Sequence, residues 1–370
     1  MNVLAIEPFY GGSHRAFLDG WAKHSRHDFT ILELPAHKWK WRMRHAPVTL
    51  AQRLTEPEFR DREFDCLWCS DMLNLAEFLG LAPPAIQALP CVTYFHENQL
   101  TYPVRKAEER DLHFAYTNFT TCVAADQVWF NSEFHRTDYL KALRTYLQRM
   151  PDYRTLDLVD EIETKSSVQY PGIETDATAR TSHDGPLRIG WNARWEHDKN
   201  PEDFFAALRF LKNHDVPFEL IVLGESFRDS PAIFEIARDE FRAQTLQWGF
   251  AESQQAYGDW LSQMDVVVST AIHEFFGIGI VEAVAAGAVP LLPRRLAYPE
   301  VIAKLQDERS DWPLDILYDG TVQDLGTKLM ETARNKEHLP SVARSLSGQA
   351  DRFAWSTRAK ELDVALESVK

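Results

Sequence analysis

The 370-residue chain is 45% hydrophobic and 26% charged, with 16 Gly and 19 Pro, which excludes disordered, collagen-like and low-complexity classes and predicts about two ordinary domains. Its longest apolar runs, 266–272 and 283–292, fall short of the roughly 18 to 20 residues of a membrane span, and Met1 leads through Val3–Ile6 into Glu7 without the basic region or cleavage site of a signal peptide, so a soluble protein in a cytosolic or nuclear setting is expected. The net charge of −15 argues against a polyanionic partner, but it is unevenly spread: residues 1–150 carry net −1 and residues 151–370 net −14.

Along the chain, apolar runs alternate with helical patterns, the mark of βαβ units around parallel sheets. Val3–Ile6 reads as a short strand, followed by Phe9, Tyr10, Gly11, Gly12, Ser13 and His14 and then by a helix from Arg15. The Gly-Gly turn, between strand and helix, offers backbone N–H groups to an oxyanion; an ordinary tight turn is at least as good a reading of those two residues. Next comes a basic, aromatic segment, His37 to His45, in which Lys38, Lys40, Arg42 and Arg44 interleave with Trp39 and Trp41. Such a segment grips phosphates and stacks on unpaired bases, or else it is an amphipathic helix or strand edge with its indoles packed inward.

Phe64 to Cys69 looks like a buried strand, and its Cys66-x-x-Cys69 pair lacks the second pair or the histidines that would complete a zinc site. Four cysteines in all suit a reducing compartment, and no metal is expected. A strand over Cys91–Phe95 delivers His96, Glu97 and Asn98 to its carboxyl end, and Gln127–Phe130 delivers Asn131 and Ser132, where open α/β sheets bind ligands. Pro171, Gly172 and the polar stretch up to Gly185 read as a linker, so a first domain over 1–172 and a linker over 173–186 are expected.

The pattern then restarts, with strands at Leu187–Trp191, Phe218–Leu223, Asp265–Ser269 and Val289–Leu292 and a helix at Pro201–Asn213, giving a second domain over 187–345. Arg194 and Lys199 follow a strand end and precede Asn200 and Pro201 at a helix start, a constellation suited to a diphosphate and also to a surface cluster with Glu196 and Asp198. In the loop His273 to Glu282, Glu274 and Glu282 are separated by seven residues, Gly277 and Gly279 among them, so both carboxylates can face one ligand and accept bonds from vicinal hydroxyls, as in sugar recognition. Neither carboxylate excludes a plain solvated role at a helix entry. Residues 346–370 are expected to pack back on the first domain, through a helix over 351–369 with Phe353, Trp355, Leu362 and Leu366 on its apolar face.

Two Rossmann-like domains, a Gly-Gly first turn, Arg194 with Lys199, and Glu274-x7-Glu282 together resemble the retaining GT-B glycosyltransferases of the GT4 type. That resemblance implies two doubly wound domains facing across a cleft. It also implies Arg194 and Lys199 on the diphosphate of a nucleotide sugar, Glu282 on the ribose, and Glu274 with the backbone from Phe275 through Phe276 and Gly277 to Ile278 on the donor sugar. Gly12 and Ser13 would line the diphosphate, His96 would touch the donor sugar, and no metal or other cofactor would be required. More specifically, FYGGSH (9–14), LPAHKWKWRMR (34–44), YFHENQLTYP (94–103), WNARWEHDKNP (191–201) and STAIHEFFG (269–277) resemble the tRNA-queuosine α-mannosyltransferase family. Membership implies transfer of mannose from GDP-mannose to the cyclopentenediol of queuosine in the anticodon loop of tRNA-Asp. Glu274 and His96 would then serve catalysis, and Lys38, Trp39, Lys40, Trp41, Arg42 and Arg44 would meet the tRNA, with no membrane and no obligate protein partner. A GT4-type enzyme with a lipid or oligosaccharide acceptor, and a non-catalytic nucleotide-sugar or RNA-binding module, are the alternatives.

Overall fold

Runs such as Val3–Ile6 and Val266–Val268 have no polar alternation because both faces of their strands are covered. The computed structural model describes residues 1–103, 111–175, 183–227, 229–306 and 315–369. It divides into two compact units, Met1–Gly172 with Trp355–Lys370, and Ile173–Ala354. Most of the expected linker, 176–182, lies outside the described residues.

The first unit is built on β1 (Asn2–Tyr10), β2 (Asp28–Pro35), β3 (Cys66–Ser70), β4 (Cys91–Phe95), β5 (Gln127–Phe130) and β6 (Ser166–Val168). All pairings are parallel, in the order β2-β1-β3-β4-β5-β6. Alternate residues of β1 feed two cores. Leu4 and Ile6 join Leu67, Cys69, Phe95 and Phe130 on one face of the sheet, while Val3 and Ala5 join Trp68, Tyr94 and Trp129 on the other. Cys66 and Cys69 are free, buried thiols, one on each face, and burial pushes Cys66 up to about 12.

The second face is closed by the helix Trp355–Glu367 through Trp355, Ala359, Leu362 and Leu366. The Trp355 indole occupies space left by two glycines, since a Cβ on Gly20 or Gly172 would fall 2.1 or 2.3 Å from it. Asp363 accepts from the Trp21 indole, the Ser25 hydroxyl and the Arg26 backbone N–H at 2.6–2.9 Å. The expected 351–369 helix is therefore shorter than its periodicity implied. Leu339–Ala350 is a separate helix of the second unit, and Asp351–Phe353 forms a 3₁₀ turn. Phe353 packs its ring on Phe276, 5.5 Å away, and its carbonyl accepts from the Ile173 N–H, so it stays with the second unit while Trp355 joins the first.

The second unit contains β7 (Leu187–Asn192), β8 (Phe218–Leu223), β9 (Thr245–Gly249), β10 (Val266–Val268), β11 (Val289–Pro293) and β12 (Leu317–Tyr318), all parallel, in the order β12-β11-β10-β7-β8-β9. In each sheet the first strand has its sequence successor on one side and a later strand on the other. The strand order therefore reverses between β1 and β3 and between β7 and β10, and crevices for ligands open at such switch points.

Candidate functional site

At the switch point of the second unit, β7 runs into the 3₁₀ turn His197–Lys199 and β10 into the loop 269–277. Direct β7–β10 pairing makes these two segments neighbours, and the Thr270 hydroxyl ties them together by bonding the carbonyls of Lys199 and Asn200 at 2.9 and 2.8 Å. Lys199 is buried, with Nζ 3.2 Å from Glu274 Oε2, 3.1 Å from Asp198 Oδ2 and 3.1 Å from the His273 carbonyl. Burial alone would lower the Lys199 ammonium, but Glu274 and Asp198 hold it above the ordinary lysine range. Burial would raise Glu274, and Lys199 instead brings it below the usual carboxylate range. His273 is pushed down to about 4 by burial, with Lys199 adding to the effect, so it is neutral. Arg194 is half-exposed and reaches Glu196 at 3.3 Å. The surface cluster expected as the plain alternative is thus real for Arg194, whereas Lys199 is a buried ion-pair centre.

Glu282 lies on the helix Ile278–Ala285, entered through Gly277 at φ +93°, a left-handed conformation that favours glycine. No side chain caps this helix. It approaches β7 so closely that a Cβ on Gly279 would lie 2.9 Å from the Asn192 carbonyl. Asn192 Nδ2 donates to the Gly279 carbonyl and to the Tyr257 hydroxyl, and that hydroxyl donates to Glu282 Oε2 at 2.6 Å. Burial raises the Glu282 carboxyl, partly offset by the Tyr257 bond. The two carboxylates of the Glu-x7-Glu pattern are therefore unlike: Glu274 is held charged by a lysine, and Glu282 is oriented by a tyrosine. Phe276 is buried against Phe353, so only its backbone is offered, and its N–H lies 3.4 Å from Glu274 Oε1.

In the first unit, Gly12 opens the helix Gly12–His24 at φ +53° with no side-chain cap and no acidic residue in its first turn, leaving the Gly12 and Ser13 backbone exposed at a positive helix end. Around His96 stands a buried group that sequence reasoning missed. Glu7, within β1, accepts from the Ser70 hydroxyl at 2.8 Å, the Phe9 N–H at 2.9 Å and His14 Nδ1 at 3.1 Å. Burial would keep His14 neutral, but the Glu7 carboxylate more than reverses this and lifts it to about 9, so the pair is an ion pair. The His14 ring lies against His96 with centroids 4.0 Å apart and the planes tilted by 36°, and Phe17 and Tyr94 enclose His96 edge-on. Asp71 Oδ1 accepts the His96 backbone N–H, and Asn131 Nδ2 holds its carbonyl. His96 Nε2 and Asp71 Oδ2 are buried with no hydrogen-bond partner among the described residues. Burial, together with the charge on His14, drives His96 well below the usual range and keeps it neutral. Glu7, His14 and His96 bring ligand atoms within 4.8 Å of one another. Three donors already hold Glu7, and the one on Oε2 is His14, so the cluster has the geometry of a hydrogen-bonded ion pair. A glutamate interrupting the apolar run of Val3–Ile6 is the signal that marks Glu7 in the sequence.

The basic segment lies at the start of the helix Trp39–Arg53. Lys38, Lys40, Trp41 and Arg44 are exposed, Trp41 by 62%. Arg42 corrects the expectation of a phosphate contact: it is 8% exposed, and its guanidinium is committed to the Pro35 carbonyl, His37 and His45. Trp39 likewise turns inward, its ring 5.1 Å from Phe114 beside Met43 and Met72. Helical periodicity, which places residues three and four apart on one face, buries these positions and exposes those between them.

Among solved structures the chain is similar to a sucrose-phosphate synthase from Thermosynechococcus elongatus, at TM-score 0.73 and 11% identity over 99% of this chain and 98% of that one. It is also similar to Anabaena HepE in complex with UDP and glucose, at TM-score 0.67 and 15% identity over 100% of both chains. With two parallel six-stranded sheets, these likenesses define the fold class as GT-B, that of a large group of glycosyltransferases. Residues 2–173 match the N-terminal region of tRNA-queuosine alpha-mannosyltransferase, and residues 174–309 match glycosyl transferases group 1. A tRNA-queuosine alpha-mannosyltransferase of Drosophila melanogaster is 36% identical over 315 residues, 82% of each chain. The chain belongs to the tRNA-queuosine α-mannosyltransferase family, and it is a glycosyltransferase.

Proposed function

We propose that this protein transfers mannose from GDP-mannose to the cyclopentenediol of queuosine in the anticodon loop of tRNA-Asp, with retention of the anomeric configuration. Family membership supports the reaction, and the buried Lys199–Glu274 pair beside the uncapped start of helix 278–285 is the observation that carries the donor assignment. Arg194 and Lys199 neutralise the diphosphate as charge develops on it, aided by the positive helix end, which is how such a leaving group departs without requiring a metal. Glu282, aimed by Tyr257, accepts from the ribose hydroxyls, and Glu274 with the backbone of 276–278 orients the sugar. In the other unit, Gly12 and Ser13 offer backbone N–H groups to phosphate oxygens, and the buried Nε2 of His96 serves a sugar hydroxyl.

An oxocarbenium-like state forms as the sugar–phosphate bond breaks. The acceptor hydroxyl attacks the face the diphosphate leaves, and its proton passes to the departing phosphate oxygen. Lys38, Lys40, Trp41 and Arg44 are the proposed tRNA contacts, a cationic and aromatic surface suited to unpaired anticodon nucleotides. No helix among the described residues is long and apolar enough to cross a membrane, and a tRNA substrate is met in the cytoplasm. The test is incubation with GDP-mannose and tRNA-Asp that contains or lacks queuosine, followed by mass spectrometry of the digested nucleosides. A hexose gain confined to queuosine is expected. GDP-mannose consumed with no tRNA gain would move the acceptor to a lipid or an oligosaccharide.

A further inference from the structure

One feature that the proposed chemistry leaves unused is a cavity of about 460 Å³ in the first unit. Asp138, Lys141, Ala142, Thr145 and Tyr146 line it as one stripe of the helix Glu133–Gln148, and Arg149 and Met150 extend that wall past the helix end. Leu100 and Leu112 complete it. Leu100, Tyr146 and Met150 rest on the unit's core, so the floor is firm and apolar. Lys141 and Arg149 are exposed on its rim, about 12 Å apart along the helix direction, and neither pairs with a carboxylate among the described residues. An apolar floor, an aromatic wall, two cations and one carboxylate acceptor match an unpaired nucleotide. A base there would stack on Tyr146 and the aliphatic floor, its flanking phosphates would meet Lys141 and Arg149, and an exocyclic amine would donate to Asp138. The volume suits one such small unit and is far too small for a duplex.

The cavity is tied to both neighbouring features of the unit. Leu100 lies four residues beyond His96, in a loop whose turn Asn98 fixes by accepting from the Leu100 and Thr101 N–H groups at 3.0 and 2.8 Å. Leu112 opens the helix Leu112–Ala124, whose Phe114 packs against Trp39 and lies under the Arg44 guanidinium at 5.1 Å. The cavity, the His96 loop and the basic segment thus meet around the first turn of that helix.

We propose that the cavity lined by Leu100, Tyr146, Lys141 and Arg149 is a subsite for a single unpaired nucleotide of the acceptor RNA, a second anchor besides the basic segment. This inference rests on the tRNA reading above. Two variants test it with queuosine-containing tRNA-Asp. Lys141→Glu with Arg149→Glu reverses the rim charge, and Ala142→Trp fills the cavity with no change of charge. The charge reversal is expected to weaken tRNA binding by at least ~10-fold and to reduce the slope of log affinity against log salt by about 1.4, for two single-strand phosphate contacts. The filled cavity is expected to weaken binding by about 10-fold with the slope unchanged. GDP-mannose affinity and the denaturation midpoint, equal to those of the wild type, serve as folding controls. Wild-type protein that mannosylates queuosine while either variant keeps full tRNA affinity overturns the subsite and leaves the function standing. Wild-type protein that binds no tRNA overturns both.

Discussion

The Glu7–His14 pair makes the stability of the first unit depend on pH in a way that can be worked out in advance. His14 is buried and titrates at about 9 in the folded chain, against 6.5 for a free imidazole. Because the folded value is the higher one, protonation favours the folded state. The contribution is fully present below pH 6.5 and is lost as pH rises through 9. At about 1.4 kcal/mol for each tenfold change in proton affinity, the difference amounts to about 3 kcal/mol, a large share of the stability of an ordinary domain. Other buried groups, the thiols of Cys66 and Cys91 among them, have raised values too and lose stability in the same direction, so the wild type alone would not isolate the pair. His14→Gln keeps a polar side chain beside Glu7 and does not titrate. Guanidinium denaturation of both proteins at pH 6, 7.5 and 9, followed by tryptophan fluorescence, should show the wild type ahead of the variant by about 3 kcal/mol more at pH 6 than at pH 9. A gap between the two that stays level across this range would refute the assignment of a charged His14.

Tyr257→Phe removes the hydroxyl that joins Asn192 to Glu282, and since that bond lowers the Glu282 carboxyl, the variant should titrate higher still. GDP-mannose affinity by fluorescence titration is expected to fall about 10-fold at pH 6 and less at pH 8; an equal loss at both would show that Glu282 does not bind as the carboxylate. Arg42→Ala should act on the fold, lowering stability by about 2 kcal/mol because the Pro35 carbonyl and two histidines lose their shared donor. Lys40→Ala should leave the denaturation midpoint unchanged and weaken tRNA binding, so the two variants separate in melting and binding assays, and identical behaviour would contradict the inward placement of Arg42.

Much of the architecture was legible residue by residue. The strands at Cys91–Phe95, Gln127–Phe130 and Phe218–Leu223 have the bounds that their apolar runs predict, because a strand covered on both faces is apolar at most of its positions and the run therefore ends where the strand does. Lys199, Glu274 and Glu282 also stand out in the sequence, since they are charged residues beyond strand ends, Lys199 in a 3₁₀ turn, Glu274 in a loop and Glu282 on the helix that follows it. What the sequence left open was decided by packing between distant segments. Glu7 meets Ser70 across 63 positions, and Tyr257 meets Glu282 across 25. The chain leaves the second unit between Phe353 and Trp355 because one ring finds Phe276 and the other a gap made by Gly20 and Gly172. Arg42 and Lys40 are both cations on one helix, and their neighbours in sequence do not distinguish them. One faces a carbonyl and two imidazoles and is buried while the other faces water, and that difference is a property of what folds against each residue, which local pattern does not carry.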